Sequence, residues 1–138
     1  MQTHRTATRE GGFSLIELLL VLTIIGIISA IAIPMLMGQR NRARRIGDAQ
    51  ANANVLAMML ETRKAESAVY GPAGTYTWTN SGGVPSPNLA PSFQVKNGSE
   101  MNFTVIVGNN GLGYTLTVND KTGTKIFQTD QTGAKLYP

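Results

Sequence analysis

Residues 13–37, FSLIELLLVLTIIGIISAIAIPMLM, carry a single charge, Glu17, in 25 positions. A helix rises about 1.5 Å per residue, so roughly 20 such residues cross the hydrocarbon core of a bilayer. The run is long enough to do so. A secretory signal peptide has a shorter apolar region closed by a small-residue cleavage site. Ser29, Ala30, Ile31 and Ala32 offer such a site, but the apolar run passes through them to Pro34 and on into a helical pattern. The remaining residues, in a chain of 138, amount to one small head with a modest core.

Glu17 is the anomaly. A charge at the centre of a membrane helix costs about 2.5–3.5 kcal/mol on insertion scales. Glu17 is off centre, four residues or roughly 6 Å of helix from Phe13. Two readings stand side by side on physical grounds. In one, the carboxylate reaches back to the interface and is helped by the helix dipole. In the other, it waits for a cationic partner.

A short basic leader ending in Gly12, then Phe13, Glu17 as the fifth residue from that point and Pro34 as the twenty-second, resembles the N-terminus of type IV pilins and their pseudopilin relatives. The resemblance covers about residues 1–66. It implies that residues 1–12 are a leader, which a membrane prepilin peptidase removes between Gly12 and Phe13 before methylating the new amino terminus of Phe13. It further implies that Glu17 meets the positive amino terminus of a neighbouring subunit during assembly. In low dielectric such a pair is favoured over either charge alone, though desolvation limits the gain, so its main effect is to set register.

Gly26 and Pro34 bracket residues 27–33. Pro34 lacks the backbone donor of a continuous helix, and Gly26 adds backbone freedom. In filaments of the family this stretch often unwinds, and the same is expected here in a fibre. A simple kink or an uninterrupted helix is the expectation for the isolated subunit.

Arg40, Arg42, Arg44 and Arg45 follow the apolar run. By the positive-inside rule this cluster favours a cytoplasmic head, because the leader offers only Arg5 and Arg9 against Glu10. The resemblance implies the opposite orientation, with the head outside. The cluster reads first as a solvated helix face or a source of inter-subunit ion pairs, and second as a weak site for DNA or anionic surfaces. The net charge of +4 falls to +3 once Arg5, Arg9 and Glu10 are removed, a mild excess that permits such binding without arguing for it.

Ile46, Ala49, Ala53, Leu56 and Leu60 recur at spacings of 3, 4, 3 and 4, one face of a helix, and Met59 widens it. The spacing predicts one long helix from about residue 14 to 66, apolar over 13–37 and amphipathic over 38–66. Residues 67–100, rich in Gly, Pro, Ser and Asn, read as a connecting loop with a possible short strand at 75–79, where Tyr76 and Trp78 are packing residues. Residues 101–138 alternate apolar and polar between turn signals at Asn109-Asn110-Gly111, Asp120-Lys121-Thr122-Gly123 and Asp130-Gln131-Thr132-Gly133. This predicts an antiparallel meander of three to four strands. The expected fold is therefore α+β, the long helix packed on the sheet, as in pilins.

Asp120-Lys-Thr-Gly is echoed ten residues later by Asp130-Gln-Thr-Gly. Turn chemistry explains the echo, with Asp capping the turn and Gly taking positive φ. Calcium is the sharper alternative, but each loop brings one carboxylate and hard cations want several oxygens. Asn97-Gly98-Ser99 and Asn102-Phe103-Thr104 fit the glycosylation triplet, a weak signal. The chain has no cysteine, and its one histidine, His4, lies in the leader. Thiol chemistry, disulfides and His-based catalysis are thus excluded from the processed chain. No phosphate loop, metal cluster or acidic pair is visible. The expectation is a structural subunit without cofactor, not an enzyme: a subunit of a type IV pilus-like filament, on the cell surface after assembly from the inner membrane. By the resemblance its partners are copies of itself, the prepilin peptidase, and an assembly platform with its ATPase. The alternatives are a periplasmic pseudopilin of type II secretion, and a single-pass binding protein that does not polymerise.

Overall fold

The computed structural model describes residues 11–95 and 100–137, and the chain divides into two compact units, Met1–Arg40 and Asn41–Pro138. One helix, α1, Leu15–Ser67, belongs to both. It begins one residue later and ends one residue later than its spacing predicts.

In the first unit, α1 is apolar all round. None of its most hydrophobic 18-residue window is buried, and side chains such as Leu15, Ile16 and Ile31 are 71–75% exposed. It is long and apolar enough to cross a membrane. Thr23, one of its few polar residues, donates its hydroxyl to the Leu19 carbonyl at 2.7 Å and so exposes no unpaired donor. Pro34 sits inside the helix, and residues 27–33 are helical on either side of any strain it brings. Unwinding between Gly26 and Pro34 is therefore not a property of the single chain. Enough neighbouring turns remain hydrogen-bonded to hold the segment, although the Ala30 carbonyl has lost its usual donor.

In the second unit, the rest of α1 buries Ala49, Ala53, Leu56 and Leu60, with Ile46, Ala57 and Met59 at the margin. The helix ends where Ala68 takes φ 65° and its N–H bonds the Lys64 carbonyl at 2.8 Å. The sheet follows: β1 (Gly74–Trp78), β2 (Met101–Gly108), β3 (Gly113–Asp120), β4 (Lys125–Asp130) and β5 (Lys135–Leu136), antiparallel throughout and in chain order. Alternation sets the buried face: Met101, Phe103, Val105 and Val107 on β2, Tyr114, Leu116 and Val118 on β3. Across it, Trp78 pairs with Phe103, Val105 with Leu116, and Val118 with Phe127.

The sheet has five strands, one more than the meander predicts. The extra one is β1, the short alternating run at residues 75–78, which reaches β2 from within the segment read as a connecting loop. That segment is also part of the core. Leu89, Ala90 and Phe93 are buried, and the Phe93 ring stands edge-on to Trp78 (5.9 Å) and Phe103 (5.3 Å). Pro85, Pro87 and Pro91 rule out long regular structure after β1, but not burial.

Candidate assembly site

The N-terminus of α1 is built by a reciprocal cap. The Ser14 N–H donates to Glu17 Oε2 at 2.8 Å, and the Glu17 N–H donates to Ser14 Oγ at 3.3 Å. Ser-x-x-Glu ahead of an apolar run is the capping-box pattern, which satisfies two of the donors that a helix start leaves open. Read as a charge alone, Glu17 does not reveal this cap. The signal was present in Ser14-Leu15-Ile16-Glu17.

Gly12 and Phe13 precede the helix in irregular chain, and Phe13 is 87% exposed. A peptide bond in such a segment is open to a peptidase, whereas one inside α1 would first have to unwind. Residues 1–10, including His4, Arg5, Arg9 and Glu10, lie outside the described residues. A carboxylate has about four lone-pair positions, and the cap occupies only part of them. Glu17 is exposed and can accept from a cation of another chain while keeping its cap. Gly12, Phe13 and Glu17 thus sit together at the start of the helix. Gly26 and Pro34 lie nine and seventeen residues beyond Glu17 on the same helix. A Cβ at Gly26 would meet nothing within 4 Å, so this glycine is not required by contacts in the single chain.

The arginine cluster divides. Arg45 Nη2 lies 3.4 Å from Asp120 Oδ2, a long ion pair with Arg45 still 45% exposed, of the kind that contributes little. Arg40, Arg42 and Arg44 are exposed. Just beyond the end of α1, Tyr70 donates its hydroxyl to Glu61 Oε1 at 2.8 Å, and Lys64 Nζ lies 4.6 Å from the Tyr70 ring centroid. Burial pushes the Tyr70 hydroxyl up to about 12, so it remains a donor near neutral pH.

The two Asp-x-Thr-Gly loops are turns held by their own carboxylates. Asp120 Oδ1 accepts from the Thr122 N–H (2.9 Å), the Thr122 hydroxyl (2.6 Å) and the Thr124 N–H (2.8 Å). Asp130 Oδ1 accepts from the N–H and hydroxyl of Thr132, at 2.9 and 2.6 Å. Gly123 and Gly133 take φ 89° and 79°, which the turns require. The threonine hydroxyls hold both carboxyls below the usual carboxylate range. Of the glycosylation triplets, Asn97-Gly98-Ser99 lies outside the described residues. Asn102 is half-buried on β2, and its Oδ1 accepts the Asn80 N–H at 2.9 Å.

Residues 7–33 match the prokaryotic N-terminal methylation motif, the class III signal peptide of type IV pilins and pseudopilins. No curated protein and no solved structure matches the chain. The motif and the exposed apolar helix fit a membrane-anchored precursor of pilin type, and the α+β fold is pilin-like.

Proposed function

We propose that the chain is a structural subunit of a type IV pilus-like filament and has no enzymatic role. The observation that carries this reading is the exposure of the whole apolar half of α1, which begins at the capped Glu17. An exposed apolar helix is stable in lipid, or packed among copies of itself, but not in water. Cleavage between Gly12 and Phe13 creates a cation at the start of that helix. Its methylated amino terminus is neutralised by Glu17 of a neighbouring copy. Each helix then leaves lipid for a bundle of like helices, and the charge pair fixes how far one copy is displaced from the next. In the fibre, the donor-less carbonyl opposite Pro34 is where the helix opens between Gly26 and Pro34. The prepilin peptidase, an inner-membrane platform and its ATPase are the partners this route needs.

Shearing cells, collecting released filaments and weighing the intact protein there and in the membrane fraction tests the reading. Abundant sheared protein beginning at N-methylated Phe13 is expected. The same processed mass confined to the membrane would instead assign a periplasmic pseudopilin. An unprocessed chain that resists shearing would assign a single-pass protein that does not polymerise, and would overturn the proposal.

A further inference from the structure

The charges of α1 fall at the two ends of its apolar run. Glu17 and Arg40 are 23 positions apart, and the 22 residues between them carry no charge. At about 1.5 Å per residue this is roughly 35 Å of helix, slightly more than a hydrocarbon core of about 30 Å. A chain anchored by this run therefore holds Glu17 at one boundary and brings Arg40 out at the other. Arg42, Arg44 and Arg45 follow within five residues, about 8 Å of helix. The headgroup layer adds roughly 5–8 Å to each side of the core, so the cluster emerges at the depth of the lipid phosphates.

Arg40, Arg42 and Arg44 are exposed, and among the described residues none of the three has an acidic partner. Arg45 differs, since it faces Asp120. No Asp or Glu lies between Glu17 and Asp48 to offset them. Their directions say what kind of partner fits. Each residue turns a helix by about 100°, so Arg44 points about 40° from Arg40, and Arg42 about 200° from it. A nucleic-acid duplex or a protein groove approaches from one side and cannot meet Arg40 and Arg42 together. A lipid layer surrounds an emerging helix and can meet all three. Guanidinium forks also match phosphate oxygens two at a time. We infer that Arg40, Arg42 and Arg44 form a collar that binds the phosphates of anionic phospholipids around the anchored helix and fixes its depth. This rests on the membrane-anchored form of the chain and not on the filament reading.

Full-length protein in vesicles of phosphatidylcholine and phosphatidylglycerol in equal parts tests the collar. Spin-labelled versions of the two lipids report, by electron spin resonance, their relative association with the protein. Phosphatidylglycerol is expected to be preferred about fivefold or more, the gain expected from one arginine at an anionic surface, and the preference should weaken as salt rises. Arg40→Gln, Arg42→Gln and Arg44→Gln combined should bring the ratio to about one. The three corresponding Lys substitutions should keep most of the preference, which separates charge from any effect on folding. Arg63→Gln, remote from the run, should leave it unchanged. Inorganic phosphate in the bulk should not displace the labelled lipid. Equal association of the two lipids with the wild type, or a preference that survives the triple Gln substitution, would overturn the collar. So would displacement of the labelled lipid by a DNA duplex, which would assign the cluster to nucleic acid. Each of these outcomes leaves the yield of sheared fibre, and hence the filament reading, to stand or fall separately.

Discussion

Residues 15–37 and 46–60 of α1 are parts of one helix with opposite relations to solvent. The first part is the more hydrophobic, yet none of its most apolar window is buried. The second is half polar, yet Ala49, Ala53, Leu56 and Leu60 have no exposed surface. Hydrophobicity alone does not tell where a residue ends up. Periodicity does, because only a helix with one polar side can lie on a sheet and still face water. The all-apolar part has no such side, and its burial must come from outside the chain. On the proposed filament reading, assembly and stability rest on different residues, and substitutions should separate them.

The largest separation is expected at Glu17. Glu17→Leu should leave leader removal and the unfolding of the head unchanged while abolishing fibre, measured by shearing and immunoblot. Glu17→Gln sharpens this. Glutamine preserves a capping box, so a cap-only role predicts normal fibre, whereas a charge role predicts none. The role assigned above requires none, and normal yield from Glu17→Gln would sink it.

In the head the order reverses. Trp78 is fully buried against Phe93 and opposite Phe103. Trp78→Ala should lower stability by about 3–5 kcal/mol in denaturant titration of the full chain, with processing intact. Gly111 takes φ 86°, and a Cβ there would lie 2.7 Å from the Gly71 carbonyl oxygen. Gly111→Ala should cost about 1–3 kcal/mol, the range for a strained backbone site.

The smallest effects belong to the two turns. Asp120→Ala should lower the unfolding midpoint more than Asp130→Ala, since Asp120 holds three donors at Oδ1 and faces Arg45. Both carboxyls titrate below their ordinary value in the fold. Their contribution is thus present above the ordinary carboxylate range and disappears as pH falls through the lowered values. The wild-type midpoint should therefore drop on acidification below about pH 4, and the doubly substituted chain should drop less. Parallel curves would contradict the turn role.

The helix, the meander and both Asp-Gly turns were legible because each is local: a 3.6 period, a period of two, and turn residues at fixed offsets. The placement of β1 was not, because its pairing with β2 spans residues 79–100 and leaves no mark in either strand's own pattern. The same is true of Phe93, whose burial depends on rings supplied by two strands. At the N-terminus the sequence offered Glu17 as an anomaly and resemblance supplied a role. The cap to Ser14 was legible as well, but the question of charge hid it.

The sheet ends in strands of five residues at β1 and two at β5. An unpaired strand edge is a template on which another chain can add, and long flat edges seed aggregation. At β5 that template is two residues long and carries Lys135. In the proposed filament, copies would meet at high local density, and the β5 edge offers them only two residues of backbone ladder to extend. On that edge, the brevity of the strand would keep ordered polymerisation apart from amyloid-like pairing.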